Sequence, residues 1–409
     1  MSIQALERVL NESLNDLKKK GTFKGKETLI TGIKPAEAGK GPRYYIEGQG
    51  DKEFIKMNGN SYLGLSLHQE VIEAEEQGAR KFGAGPGAVR FISGTYQPHS
   101  ELEQRLAEFH GREAAMIFSS AYATIMGIVT PLISNDTIVI SDELNHNCII
   151  NAIRLSRPTG KSVYKHLDMG ELEAALKENL GKGKRVMVIT DGIFSMRGDY
   201  APLNRIVDIC KKYDAQYEEG IITVVDDSHG VGAFGNTGRG VEEYTNRKAD
   251  ILVATLGKAL GVNGGYVVAS LTIVNYLRET APFYIYSNPI TPSEAAASMK
   301  ALEILDSERG LKLLGHIRSL TKRFEKGLQQ LGFEILSSEH PVVPLMIRDT
   351  PKTTELVGYL FNNGILATGL NYPVVPKGDE EIRFQLAADH TENDIDYVLA
   401  VLQKYKGSH

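Results

Sequence analysis

The chain has 409 residues, 42% of them hydrophobic and 24% charged, which is ordinary usage for a globular protein of two to three domains. Its formal charge is −5, its isoelectric point is near 6.1 and no lysine/arginine-rich run interrupts it, so neither nucleic acid nor an anionic membrane is an indicated partner. Two cysteines, Cys148 and Cys210, are too few for a disulfide framework or a thiolate metal site; both are expected to be buried small hydrophobes, and no metal is expected.

In chain order, Leu6, Val9, Leu10, Leu14 and Leu17 fall at helical spacing and predict an amphipathic helix over about residues 2–20. A Gly/Lys-rich stretch comes next, and then Tyr44-Tyr-Ile-Glu-Gly48 and Phe54-Ile-Lys-Met57, which read as a short hairpin. These make an N-terminal arm, residues 1–55. From about 70 to 290, short apolar runs alternate with helical patterns, the signature of a mostly parallel sheet flanked by helices. The strand candidates are Ala114–Phe118, Thr137–Ile140, Arg185–Ile189, Ile221–Val225 and Ile251–Ala254, in a large domain spanning 56–295. Helical patterns over Ala296–Leu305 and about 311–331, succeeded by Val342–Ile347 and Ile382–Leu386, predict a smaller α+β domain over 296–409. No apolar run reaches membrane-span length and no signal-peptide core opens the chain, so a cytoplasmic protein is expected. The terminal Gly407-Ser-His409 reads as an appended scar.

The segments just after the strands carry more information than the strands. Ser119-Ser-Ala-Tyr122 comes after the first strand and opens an apolar helix, and the next three strands lead into Ser141–His146, Thr190–Met196 and Asp226-Asp-Ser-His229. Thr255-Leu-Gly-Lys258 comes after the last. In open α/β sheets the ligand sits outside the carboxyl ends of the strands. A lone strand-end Asp or His is more often a cap or turn residue, but five such segments on one edge imply a ligand.

Lys258 is the sharpest of these. Its surrounding run, Ile251–Gly261, is otherwise apolar or small and holds no carboxylate. A buried, unpaired ammonium tends to lose its proton, and a neutral amine is what Schiff-base chemistry requires. The plainer alternative is a lysine snorkelling from a strand end. Pyridoxal phosphate (PLP) would supply the carbonyl. Its pyridine nitrogen needs a carboxylate, which Asp226 could provide. Its phosphate needs a helix start such as Ser119–Tyr122. His146 is a candidate to stack on its ring, and His229 to donate to its phenolic oxygen.

The ordered segments Asn60–Leu65, Val89–Thr95, His99–Glu103, Asp142–His146, Asp191–Met196, Asp226–His229, Thr255–Lys258 and Ile382-Arg-Phe-Gln385 closely resemble the α-oxoamine synthases, of the fold type I PLP-dependent enzymes. The resemblance runs from about residue 50 to 400. It implies that Lys258 is the Schiff-base lysine and catalytic base, that Asp226 pairs with the pyridine nitrogen, that His229 bonds the phenolic oxygen and that His146 stacks on the ring. It further places Ser195 near the phenolic oxygen, Thr255 near the phosphate, Ser120, Ala121 and Tyr122 on the phosphate, and Asn60 and Arg383 on the substrate carboxylate. Members act as homodimers with the site at the interface, which implies that Ser287 reaches the partner's phosphate. The reaction implied is condensation of an amino acid with an acyl-CoA, releasing CoA.

Within the family, Val89–Thr95, Ser287-Asn288 and Tyr372–Gly378 resemble the 2-amino-3-ketobutyrate CoA ligase (glycine C-acetyltransferase) type, which implies glycine and acetyl-CoA. Ala121–Met126 departs from that type, and Lys258–Gly264 has a length more like the 8-amino-7-oxononanoate synthase type, which joins alanine and pimeloyl-CoA. A serine palmitoyltransferase-like pair is a further alternative. In a different class, Gly230-Val-Gly-Ala-Phe-Gly235 matches the dinucleotide fingerprint of a Rossmann oxidoreductase. Four polar residues separate it from Val225, however, and Asn236–Gly240 comes next instead of an amphipathic helix.

Overall fold

The computed structural model describes residues 3–20, 22–23, 25–372 and 374–408; Met1, Ser2, Gly21, Lys24, His409 and Pro373 of the Tyr372–Gly378 segment lie outside them. Seven strands form the main sheet, in the order Ala114–Phe118, Gly265–Ala269, Ile251–Thr255, Ile221–Asp226, Arg185–Asp191, Thr137–Asp142, Gly160–Tyr164. All run parallel except Gly265–Ala269, which is antiparallel to both neighbours. Every position of Thr137–Asp142 is buried, as is every position of Arg185–Asp191 after the first. Such strands are covered on both faces, which is why they read as continuous apolar runs. Gly160–Tyr164 escapes the sequence reading because it is an edge strand with only Tyr164 buried. Gly265–Ala269 is joined to its neighbour by a short loop and reads as a continuation of the lysine segment.

The faces are covered separately. Phe118, Ile125, Val139, Ile149, Val267 and Leu277 pack in one cluster. Ile140, Leu172, Val188, Ile206 and Tyr213 pack in another. Val139 and Ile140 fall on opposite sides, as the period of two requires.

The C-terminal part carries a three-stranded antiparallel sheet with Glu381–Gln385 between Val342–Met346 and Thr368–Leu370. Helix Pro292–Leu305 leads toward it, opened by a capping box between Thr291 and Glu294. It lies so close to helix Gln69–Phe82 that a Cβ on Gly78 would sit 2.8 Å from Ser293 Cα.

The N-terminal helix forms over Ile3–Lys19, and none of its residues is buried. The expected hairpin needs correction. Arg43–Ile46 pairs with Ile30–Lys34, inside the Gly/Lys-rich stretch, and Tyr44 and Phe54 share a single bridge. Ile55–Lys56 pairs in parallel with Ile365–Leu366. Packing decides this: Phe54 is fully buried with Leu366, and its ring centroid lies 5.0 Å from that of Phe361. Among the described residues no helix is long and apolar enough to cross a membrane.

Candidate active site

The parallel strands end on one edge, where a cleft is lined by Ala121, Tyr122, His146, Asp191, Ser195, Asp226, Ser228, His229 and Lys258, with Cys148 and Ile193. Seven predicted site residues are therefore brought together. Ser120 stands just behind as the N-cap of helix Ala121–Leu132, its hydroxyl accepting from the Ala123 amide at 3.1 Å. The first amides of a helix have no partner within it, so those of Ala121 and Tyr122 are open to a ligand. A Cβ on Gly265 would lie 2.3 Å from Ala121 N, so strand and helix start meet backbone to backbone.

Sheet register pairs Asp191 directly with Asp226. Burial and the Asp226 charge push the Asp191 carboxyl well above its ordinary value. Its Oδ2 accepts from the His146 amide at 2.9 Å. Asp226 Oδ1 accepts from the Ser228 amide at 3.1 Å, and Cys148 Sγ lies 3.8 Å from Oδ2. Lys258 reaches into the same cleft. Burial lowers the affinity of its amine for a proton, while Asp226 and Asp191 pull the other way.

Both cleft histidines are held by a hydrogen bond at Nδ1. His229 Nδ1 lies 2.7 Å from Tyr62 Oη. Burial keeps the Tyr62 phenol protonated and pushes His229 well below its ordinary value, with Lys258 acting in the same direction. The neutral His229 ring and the Tyr62 hydroxyl therefore share one hydrogen bond at Nδ1, which leaves Nε2 facing away from Tyr62. His146 caps helix Asn147–Ser156, its Nδ1 accepting from the Cys148 amide at 3.2 Å. Burial lowers its proton affinity too, so with Nδ1 accepting, Nε2 of His146 carries the proton.

Asp227 points elsewhere. It accepts from the Val241 amide at 2.7 Å, and Cβ atoms on Gly192, Gly230 or Gly240 would fall 2.3, 2.0 or 1.8 Å from its carboxylate oxygens. Burial pushes it up to about 8. Gly230 of the fingerprint-like Gly230–Gly235 thus makes room for a buried carboxyl, and the next helix is only Val241–Thr245. That removes the structural basis for a dinucleotide site there.

The remaining predicted residues lie outside the cleft. Glu381, Arg383 and Gln385 alternate onto one face of their strand. Arg383 donates to the Ser195 carbonyl at 3.1 Å and leaves Nε without a partner. Gln385 donates to Asn60 Oδ1, which ties the two predicted carboxylate-binding residues into one array. Thr255 closes its own turn, bonding the Gly264 carbonyl at 3.0 Å. Ser287 sits apart from the lysine cleft, its hydroxyl 3.5 Å from the Asn288 carbonyl.

A second hollow of about 360 Å³ adjoins the cleft and shares His146 and Ser195 with it. His166 braces it: Nδ1 lies 3.0 Å from Asp142 and Nε2 3.1 Å from Asp199. Burial would lower His166, but the two carboxylates raise it to about 9. Larger hollows at the opposite strand ends, around Arg185, Ile221 and Asp250, carry none of the cleft groups.

Sequence reasoning assigned no site role to Tyr62, Cys148, Ser228 or Asp191. Asp191 had a readable signal, being an acid at a strand end. Tyr62 depends on its contact with the distant His229.

A family model described as aminotransferase class I and II matches residues 52–402. An 8-amino-7-oxononanoate synthase from Thermoanaerobacter pseudethanolicus is 39% identical over 97% of this chain and 96% of its own. A mitochondrial 2-amino-3-ketobutyrate coenzyme A ligase from Bos taurus is 38% identical over 97% of this chain and 91% of its own. A serine palmitoyltransferase from S. paucimobilis, solved with a bound PLP–myriocin aldimine, superposes with a TM-score of 0.87 at 25% identity, covering 100% of this chain and 99% of the other. Likeness across nearly the whole length, together with a lysine cleft at the strand ends of a mostly parallel sheet, gives the assignment: the chain belongs to the class I and II aminotransferase family and, within it, to the α-oxoamine synthases.

Proposed function

We propose that the protein is a PLP-dependent C-acyltransferase that joins the α-carbon of a small amino acid to the acyl carbon of an acyl-CoA. The residues present suit the cofactor. A buried Ser228 hydroxyl in the cleft has no partner within the protein. A helix start offers free amides for a phosphate, and a carboxylate, Asp226, stands beside the lysine. When bound, PLP supplies the carbonyl that captures the amine and a pyridinium that withdraws electrons from the α-carbon.

The chain's own groups do the rest. Asp226 would hold the proton on the pyridine nitrogen, and His229, bonded at Nδ1 to Tyr62, would donate Nε2–H to the phenolic oxygen. The His146 ring would stack on the cofactor ring. Arg383 presents its free Nε to the substrate carboxylate, with Asn60 and Gln385 alongside. Lys258, whose burial favours the neutral amine, takes the α-proton. The α-carbon then bonds the acyl carbon, the carbon–sulfur bond breaks, and CoA leaves as its thiol.

The choice of pair rests on one observation. Acetyl-CoA needs almost no room for its acyl group, whereas the cleft adjoins a mainly apolar hollow of about 360 Å³, within the size range of small-molecule sites. Together with the likeness to relatives named 8-amino-7-oxononanoate synthase, this favours alanine with an acyl chain of several carbons over glycine with acetyl-CoA. A matrix of glycine, alanine and serine against acyl-CoAs of rising length, read by thiol release, tests it. Alanine with a medium chain is expected to be fastest; a maximum at glycine and acetyl-CoA would restore the ligase-type reading.

The active assembly is proposed to be a homodimer. Leu6, Val9, Leu10, Leu14 and Leu17 form an exposed apolar stripe on the N-terminal helix, and Phe91 and Ile92 are exposed as well. Sedimentation equilibrium giving a monomer at assay concentration would refute this.

A further inference from the structure

We propose that His340 is a positioning residue for the cofactor cleft: it fixes the C-terminal sheet that carries Arg383 against the backbone of His229, so that the carboxylate ligand and the phenolic-oxygen donor keep one spacing. The proposal rests on the PLP reading above and adds a residue to that same site.

Sheet pairing holds the backbone as far as Asp226. His229 lies beyond it, in a turn closed by the Gly230 amide on the Asp227 carbonyl at 3.0 Å. A donor mounted on a turn needs further anchors if it is to meet one fixed oxygen. Tyr62 anchors the ring, and His340 anchors the backbone, its Nε2 lying 2.8 Å from the His229 carbonyl. At the other nitrogen, His340 Nδ1 accepts from the Val342 amide at 3.3 Å. An amide only donates and a carbonyl only accepts, so this ring has one tautomer, protonated at Nε2. Burial lowers its proton affinity to a value of about 4, which keeps it neutral. The ring is fully buried and stands edge-on to that of Tyr62, with centroids 5.0 Å apart. One side chain therefore holds His229 directly and braces the tyrosine that bonds it.

The backbone of His340 belongs to the substrate side of the site. Val342, two residues on, pairs with Gln385, and Pro344 pairs with Arg383. The Leu386 amide donates to the Pro341 carbonyl at 3.0 Å, which carries the pairing up to His340 itself. Ser338 Oγ accepts from the His340 amide at 3.1 Å. A Cβ on Gly198 would lie 3.0 Å from both Ser338 Oγ and the Val342 carbonyl oxygen, so the same segment presses on the loop after Ser195. A shift of this segment would move Arg383 and the His229 turn together only while the His340 bond holds.

His340→Asn and His340→Gln separate positioning from packing. The asparagine amide can still accept from Val342 but falls short of the His229 carbonyl, whereas the glutamine amide reaches it. In the holoenzyme, His340→Asn is expected to lower kcat/KM for the fastest substrate pair about tenfold. It should also shift the pH midpoint of the bound cofactor's visible band by about half a unit or more, because a displaced His229 bonds the phenolic oxygen less well. His340→Gln should stay within about threefold of wild type and keep its midpoint. Equal losses in the two variants, or lowered activity with the midpoint unmoved in His340→Asn, would overturn the positioning role. The wild-type holoenzyme gives a reading that is independent of how either variant folds. Nitrogen NMR should show His340 neutral and protonated at Nε2 from about pH 6 to 9, and a ring that titrates in that range would also overturn the proposal. Absence of any visible band when PLP is added to wild type would instead overturn the cofactor reading itself.

Discussion

The two adjoining hollows are built differently. In the lysine cleft, most titratable groups stand at the carboxyl end of a buried strand and are held by named bonds: Asp191 by the His146 amide, Asp226 by the Ser228 amide, His229 by Tyr62. In the acyl-sized hollow, Leu144, Phe194 and Val375 come from loops, and only Met346 and Glu381 come from strands. Chemistry that depends on sub-ångström placement is mounted on the sheet, and the surface that can vary without disturbing it is mounted on connections. His166 joins the two by tying Asp142, before the His146 loop, to Asp199, after the Ser195 loop.

If that division is right, removing a cleft group should be far more damaging than altering a loop. Lys258→Ala should abolish turnover and remove the visible absorbance of the bound cofactor. A borohydride-reducible cofactor adduct persisting in that variant would refute the lysine assignment.

The next largest effect separates adjacent carboxyls. Asp226→Asn should lower kcat by about 10³-fold or more while leaving the melting temperature near wild type, because an amide cannot hold the pyridinium proton. Asp227→Asn should do the reverse, costing roughly 1–3 kcal/mol of stability through its buried bond to Val241 with little change in kcat. A loss of no more than about tenfold in Asp226→Asn, roughly 1.4 kcal/mol of barrier, would move the role to another acid.

Tyr62→Phe sharpens the comparison on a positioning residue. It removes the hydroxyl bonded to His229 Nδ1, and about tenfold in kcat/KM is the expected loss. Nitrogen NMR of the His229 ring should show mixed tautomers; one unchanged tautomer would mean that Tyr62 only fills space.

The smallest effect falls on the brace between the hollows. His166 has an ordinary value of 6.5, raised to about 9 in the fold, so its contribution to stability is complete below about pH 6.5 and is lost as pH rises through about 9. Wild type should lose stability across that window, and His166→Gln should lose less. Parallel denaturation profiles for the two proteins would show that the Asp142–His166–Asp199 charges do not hold the loops.

Much of this architecture is legible in the sequence where burial on both faces leaves a continuous apolar run. The five apolar runs form strands within one or two residues of their expected bounds, and the polar residues after them form the cleft. Legibility fails where a strand is exposed and where a segment's partner lies far along the chain. Ile30–Lys34 is an exposed edge with little pattern, and Phe54 is drawn from the expected hairpin toward Phe361 and Leu366. Arg383 is a readable candidate in the sequence, but its tie through Gln385 to Asn60 crosses more than three hundred residues.

Local order therefore suffices for the class of fold and for the lysine, the two strand-end histidines and Asp226, because strand direction alone brings residues after parallel strands to one edge. Which of two neighbouring aspartates faces the cleft and which ring nitrogen carries the proton are decided by tertiary contacts. Those properties depend on desolvation and on single hydrogen bonds between remote segments, neither of which exists until the chain has packed.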